Sequence, residues 1–416
     1  MKLDRNKKAM IFKWGLVAVA LVLFMFPSVA DKMPQIDSRV MLTAIGLDLK
    51  GDELELTAAV TVPSGGTGGG SESAESVTGS SVGELMSNLS RSLGKRAELA
   101  HCAMLALGKE LCERGVKEEI ESLISSDGLS DGISVVAAKD TAKKFIETAA
   151  NLSKSAAFSL GSFLSFASED AQIPMVSLVS FAAASNSLGG CAYLPIIEMS
   201  GGGGQSGGGE KNSGEENCGG GSGEGAQEGE GGGSSGGQSK AQIASAETTR
   251  IFKKYRSVAE FDKESTFALT WLDPQSDRGA IKLEKFELGG VNLDNLAFVI
   301  RKKGVGVKAS FKDTPTVTVV IDAQVEPEAS NRLAELKESG MPILDINTSI
   351  KKALKEQMDR QIKAGWEKAK EVKADPFKYA YRLYKKNPTR FESEIGFGDD
   401  MFDKITIDTK IDILMI

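Results

Sequence analysis

Thr316-Val-Thr-Val-Val-Ile-Asp-Ala-Gln-Val325 alternates apolar and polar residues with a period of two, as a strand with one buried face does. From Ile346 to about Val372 the rhythm changes. Ile350, Leu354, Met358, Ile362, Trp366 and Ala369 recur at three-to-four spacing, which predicts one long amphipathic helix. The pattern stops before Asp375-Pro376, and Pro376 suits the first turn of a second helix, Phe377 to Lys386. Lys404 to Met415 then alternates again through Ile405, Ile407, Thr409, Ile411 and Ile413. Upstream lie short β-type segments near Arg250–Lys254, Ile281–Leu288, Leu296–Arg301 and Gly306–Lys312. Strands in a run, then long helices, then an edge strand predict an α+β unit with an antiparallel sheet, from about Ala244 to the last residue.

The first half carries its own alternation. Arg39 to Asp48 and Glu53 to Val62 flank the turn-forming Leu49-Lys50-Gly51-Asp52, a hairpin pattern, with Leu54, Leu56, Ala58, Val60 and Val62 on one face. Pro63 to Gly79 is rich in Gly and Ser and reads as a flexible loop. Ser81 is placed to cap a helix starting near Val82, with Leu85, Leu89 and Leu93 on its apolar stripe. Glu98–Leu107 reads as a strand, Glu110–Ser125 as a helix, Gly132–Ala138 as a strand and Thr141–Leu152 as a helix. The whole chain is therefore expected to be α+β and multi-domain, with mixed or antiparallel sheets flanked by helices.

Between the halves, Gly201 to Ser239 holds 19 of the 46 glycines, six glutamates and the single Lys211. Such a stretch has no apolar surface to offset the entropy of ordering. It is no phosphate-binding loop either, because no strand, helix or in-register lysine frames it. The expected organisation is a targeting segment over 1–30, a folded unit over 31–200, a flexible insert over 201–243 and a second folded unit over 244–416.

The N-terminus looks like an address. Lys2, Arg5, Lys7, Lys8 and Lys13 precede the apolar run Trp14 to Phe26, followed by Pro27-Ser28-Val29-Ala30. Basic flank, apolar middle and small residues at Ser28 and Ala30 are the parts of a signal peptide. Counted from Met10 to Ala30, the same segment can also serve as an uncleaved membrane-spanning helix. The basic flank predicts export of the rest, with a cytoplasmic N-terminus if the segment is uncleaved.

Chemistry is sparse. The formal net charge of −7 argues against nucleic acid, which demands a basic footprint. His101 is the one histidine, so any Ser-His-Asp mechanism or multi-imidazole zinc site must pass through it. It sits in an apolar strand-like run with no adjacent nucleophile or carboxylate, and reads as structural. Cys102, Cys112, Cys191 and Cys218 fit no metal-ligand spacing, and the first two read as small buried hydrophobes. Asp399-Asp400 and Glu215-Glu216 read as solvated surface, and Glu284 and Glu287 as the polar face of a strand. Trp366, Phe377, Tyr379, Tyr381, Tyr384 and Phe391 could form a carbohydrate platform or a core; Phe377, Tyr381 and Tyr384 share one helical stripe, which favours core. No catalytic, cofactor-binding or metal residue is nominated.

Taken together, several segments resemble the Ger(x)C family, the C subunits of nutrient germinant receptors in spore-forming bacteria. An export signal is followed by Leu42-Thr-Ala-Ile-Gly-Leu-Asp48, similar to the family's A-I-G-I-D strand. Leu99-Ala-His-Cys-Ala-Met-Leu-Ala-Leu-Gly108 is similar to its histidine-containing strand, and Arg250-Ile-Phe-Lys-Lys254 with Thr266-Phe-Ala-Leu-Thr-Trp-Leu272 to its F-K and W-L stretch. Trp366-Glu-Lys-Ala-Lys370, Lys373-Ala-Asp-Pro-Phe377 and Tyr384-Lys-Lys-Asn-Pro388 resemble its long helix, D-x-F-G-F-G break and P-x-W helix end. Two departures stand out. No lipobox cysteine follows the apolar run, and Lys378, Tyr379 and Phe391 stand where the family carries glycines and a tryptophan. The resemblance implies a non-enzymatic, exported, membrane-associated subunit on the outer face of the inner spore membrane. It implies A-type and B-type integral membrane receptor subunits as partners and no cofactor, and leaves nutrient contact open. The alternatives are an exported solute-binding or cell-wall-binding protein and, more remotely, an exported hydrolase.

Overall fold

The computed structural model describes residues 13–21, 39–62, 71–126, 128–130, 132–152, 173–200, 242–273, 276, 278–328, 333–338 and 342–416. The expected flexible insert, Cys218 and Glu215-Glu216 lie outside them. Of the expected N-terminal helix only residues 13–21 are described, as exposed helical turns. Among the described residues no helix is long and apolar enough to cross a membrane.

Among the described residues the first sheet has nine strands. β1 (Arg39–Lys50) and β2 (Glu53–Val62) form the expected hairpin around Gly51, whose φ of 63° matches the left-handed turn that glycine adopts freely. β3 (Ser71–Gly79) pairs antiparallel with β2 where a loop was expected, while residues 63–70 lie outside the described set. A polar stretch becomes a strand here because β2 offers a ready edge, and Thr57 and Ser76 hydroxyls meet across it at 2.9 Å. α1 (Val82–Leu93) starts at Ser81, whose hydroxyl accepts from Glu84 N–H, and buries Val82, Leu85 and Leu89.

The expected strand Glu98–Leu107 is two strands, β4 (Arg96–Glu98) and β5 (Met104–Leu107), both parallel to β1. His101 lies in the break between them, exposed, and not in a strand. The helix expected over Glu110–Ser125 is likewise split into α2 (Lys109–Arg114) and α3 (Lys117–Ile124) by Gly115 at φ 115°. β6 (Ser134–Ala138) extends the parallel set, and α4 (Ala142–Leu152) returns over the opposite face. α5 (Leu178–Ser185), β7 (Cys191–Ser200), β8 (Gln242–Lys253) and β9 (Arg256–Phe261) complete this part, in the order β3-β2-β1-β5-β6-β7-β8-β9 with β4 beside β1. β7 and β8 pair antiparallel, so this sheet continues on both sides of the glycine-rich stretch. Two cores cover its faces. One gathers Leu85, Leu105, Ile120, Phe181 and Phe252, and the other Ala44, Met104, Phe145 and Ile146 under α4.

α6 (Lys263–Leu272) follows, capped by Asp262, and leads to the second sheet: β10 (Gly279–Leu288), β11 (Val291–Ser310), β12 (Thr316–Pro327) and, after α7 (Leu333–Glu338) and α8 (Ile343–Glu371), β13 (Thr406–Met415). The two segments expected at Leu296–Arg301 and Gly306–Lys312 are one long strand, β11. The antiparallel expectation also needs correcting. β10, β11 and β12 are antiparallel, but β13 runs parallel to β12, from Thr316↔Thr406 to Val325↔Met415. The reason is the 29-residue α8, whose crossover carries the chain back to the starting end of β12. α8 buries Ile350, Leu354, Met358, Ile362 and Trp366 against this sheet and α6. α9 (Tyr379–Lys386) begins two residues later than expected. The fold is α+β with mixed sheets and flanking helices.

Candidate functional site

Two buried carboxylates organise the two halves. In β1, Asp48 Oδ1 accepts from Ala142 N–H at 2.8 Å and Oδ2 from Lys143 N–H at 2.7 Å, while Thr141 Oγ1 takes Lys144 N–H at 3.3 Å. Side chains thereby satisfy the orphan donors of the first turn of α4. Burial raises the Asp48 carboxyl above its ordinary value, although the helix amides pull it down. The neighbouring glycines provide room: a methyl on Gly108 would collide with Asp48 Oδ1, and one on Gly46 would come within 2.9 Å of Ala142 Cβ. The A-I-G-L-D segment and Gly108, prominent in the sequence, are therefore a helix-docking corner.

Asp375 is the second. Its Oδ2 accepts from Ala380 N–H at 2.7 Å at the start of α9, and its own N–H points to Cys191 Sγ at 3.2 Å. Desolvation pushes its carboxyl up to about 6, against the pull of the amides of residues 377–380. Lys373 and Lys378 on either side have φ of 52° and 60°. Lys378, standing where a family glycine was expected, occupies the left-handed conformation that explains such a glycine.

The aromatic cluster is mostly core. Trp366 packs on Tyr379 at 5.3 Å, Phe377 on Tyr379 at 5.2 Å and Tyr384 edge-on to Phe391 at 5.7 Å. Phe391 fills a buried position that the family pattern would give to tryptophan. The expected stripe is wrong in one member: Tyr381 is exposed, because α9 buries Tyr379, Ala380 and Leu383 instead. Cys102 and Cys112 are buried thiols pushed up to about 12 by desolvation, poor nucleophiles. Asp399 and Asp400 are exposed and ion-paired with Lys373 and Lys404.

Where the two sheets meet, a cavity of about 570 Å³ opens to solvent. Its walls are the end of α5 and the loop after it (residues 185–190), the β8–β9 turn, the start of α9 and the segment after α9, with Phe391, Phe397, Asp399 and Phe402. The turn is built on two consecutive left-handed residues, Lys254 at φ 49° and Tyr255 at φ 67°. Such a pair costs backbone energy. Four hydrogen bonds hold it: Lys254 N–H donates to Gly190 O at 2.6 Å, Val116 N–H to Tyr255 O at 3.0 Å, Asn186 Nδ2 to Tyr255 Oη at 2.7 Å, and Tyr255 Oη to Ala182 O at 3.3 Å. Tyr255 is thereby buried beside Phe181, and Lys254 is left exposed at the cavity wall. Sequence reasoning missed this cavity, whose walls come from five distant segments.

Fold and interior define a two-sheet α+β protein whose buried Asp48 and Asp375 serve as helix caps. Residues 31–199 match the family described as the spore germination protein N-terminal domain, and residues 247–416 the one described as spore germination B3/GerAC-like, C-terminal. The chain belongs to the GerAC-like spore germination proteins. Among solved structures it is similar to the crystal structure of the GerBC protein, with 14% identity and a TM-score of 0.48 over 89% of this chain and 96% of that one. No curated protein matches the chain significantly.

Proposed function

We propose that the chain acts in spore germination as a non-enzymatic, exported subunit of a nutrient germinant receptor, held at the membrane and assembled with integral membrane subunits of the A and B types. The observation that carries this reading is the ordered match of both family descriptions, one on each side of the glycine-rich insert. A scaffolding or coupling role is supported by the use of the perturbed buried acids: Asp48 and Asp375 are engaged in capping helices. Membrane tethering is supported by the basic flank before residue 13 and by the exposed apolar Trp14, Leu16, Val17, Val19 and Leu21. The exported part then sits on the outer face of the inner spore membrane.

The test is affinity purification of the tagged protein from detergent-solubilised spore membranes, with co-eluting proteins and the intact N-terminus identified by mass spectrometry. Recovery of integral membrane partners, with an N-terminus preceding Ala30, is the expected result. A chain recovered alone from the soluble fraction and starting at Asp31 overturns both the assembly and the tether.

A further inference from the structure

The cavity between the sheets has a distribution of groups that the germination reading does not use. Its volume of about 570 Å³ lies within the range of small-molecule sites. Ser185, on its wall, is only 4% exposed, and its Oγ has no hydrogen-bond partner among the described residues. Buried hydroxyls are normally paired. The Lys254 stem and the Ser185 carbonyl converge on Gly190: a Cβ there would lie 3.0 Å from Lys254 Cγ and 3.4 Å from Ser185 O.

Charge points the same way. The lining carries Lys117, Lys253 and Lys254 against one carboxylate, Asp399, in a chain whose formal net charge is −7. Asp399 is already engaged by Lys373 at 3.0 Å and Lys253 at 3.9 Å, and Lys117 faces Glu121 at 3.8 Å. Lys254 has no carboxylate partner among the described residues. Beside these cations, Leu188, Tyr381 and Phe397 are 44%, 40% and 57% exposed, an apolar wall of the same cavity.

We propose that this cavity binds a small organic anion, a carboxylate on an apolar body of aromatic size. Lys254 and Lys253 face the anionic head, Ser185 Oγ donates to it, and Leu188, Tyr381 and Phe397 cover the body. Binding needs no partner subunit, so it stands or falls separately from the receptor reading.

The experiment uses the full chain in detergent. Lysines are acylated with acetic anhydride and their rates read by mass spectrometry, with 4-phenylbutyrate as the probe. 4-Phenylbutanol and 4-phenylbutyltrimethylammonium serve as matched neutral and cationic bodies, and Lys410 on β13 is the internal control. At about 10 mM, above a millimolar dissociation constant, the carboxylate is expected to slow Lys253 and Lys254 by about fivefold and leave Lys410 unchanged. Lys254→Gln, at an exposed position, should raise the concentration that half-protects Lys253 by about tenfold, and Ser185→Ala by about threefold. Equal protection by the alcohol, or no protection by the carboxylate, overturns the proposal. So does full protection in Lys254→Gln.

Discussion

Asp48 and Asp375 cap helices in different sheets with opposite choices of neighbour. Around Asp48 the neighbours are glycines, and Gly108 has an ordinary φ of −69°, so what its missing side chain supplies is space for a carboxylate. Around Asp375 the backbone turns left-handed at Lys373 and Lys378, where glycine would relieve strain, yet lysines stand there. The first corner reaches 94 residues along the chain to catch α4, and the second only five to start α9. A long-range cap ties a strand to a distant helix and needs room; a local cap bends the chain and needs torsional freedom.

The largest effect is expected at the long-range corner. Asp48→Ala removes the acceptors of two helix N–H groups and is expected to cost about 3 kcal/mol, read as a lower denaturant midpoint at unchanged m-value. Gly108→Ala should cost nearly as much by displacing the same carboxylate, at about 2 kcal/mol. In the Asp48→Ala background the same methyl should be close to neutral, since its next contact, Leu47 O at 3.4 Å, is ordinary. A coupling energy of about 2 kcal/mol is the expected outcome of this double-mutant cycle. Additive losses would show that Gly108 is needed for some reason other than space for Asp48.

Much of this architecture was legible in the sequence. Ser81 before an apolar stripe, the alternation from Leu54 to Val60 and the three-to-four spacing from Ile350 to Ala369 are local patterns, and each forms the element it predicts. What stayed hidden depends on partners distant in the chain. β3 has a loop's composition and is a strand because β2 has a free edge. β13 alternates as an antiparallel strand would, and its direction is set by the length of α8. The 570 Å³ cavity draws on Lys117, Ser185, Lys254, Tyr381 and Phe397, and no spacing rule connects them. Tyr381 misled through its spacing: it stands three residues from Tyr384, yet Tyr384 packs on Phe391 while Tyr381 faces solvent.

Burial raises both carboxyls, and the local corner is the more sensitive to pH. Asp375 has a native carboxyl at about 6 against an ordinary 3.8, so the native state holds its proton more tightly than the unfolded chain does. This contribution to stability is fully present below about 3.8 and is lost as pH rises through about 6. Asp375→Asn keeps an acceptor for Ala380 N–H without the charge. Stability of the natural protein relative to this variant should therefore fall by about 2 kcal/mol from pH 4 to pH 7, read from paired denaturation curves. A flat difference would mean that solvent reaches Asp375 and that its carboxyl titrates in the ordinary range.

The smallest effect tests the torsional half of the comparison. At φ 60° and ψ 31° the Cβ of Lys378 crowds its own backbone, a cost that glycine escapes while losing more chain entropy on folding. The two terms oppose each other, and Lys378→Gly is expected to gain about 0.5–1 kcal/mol. Lys378→Ala separates the causes. Alanine removes the long side chain but keeps the Cβ, so it should gain nothing if the left-handed backbone is the source of strain. If alanine stabilises as much as glycine, the lysine side chain itself is unfavourable at this corner. The contrast with Asp48 would then be one of charge and packing, with no part played by backbone conformation.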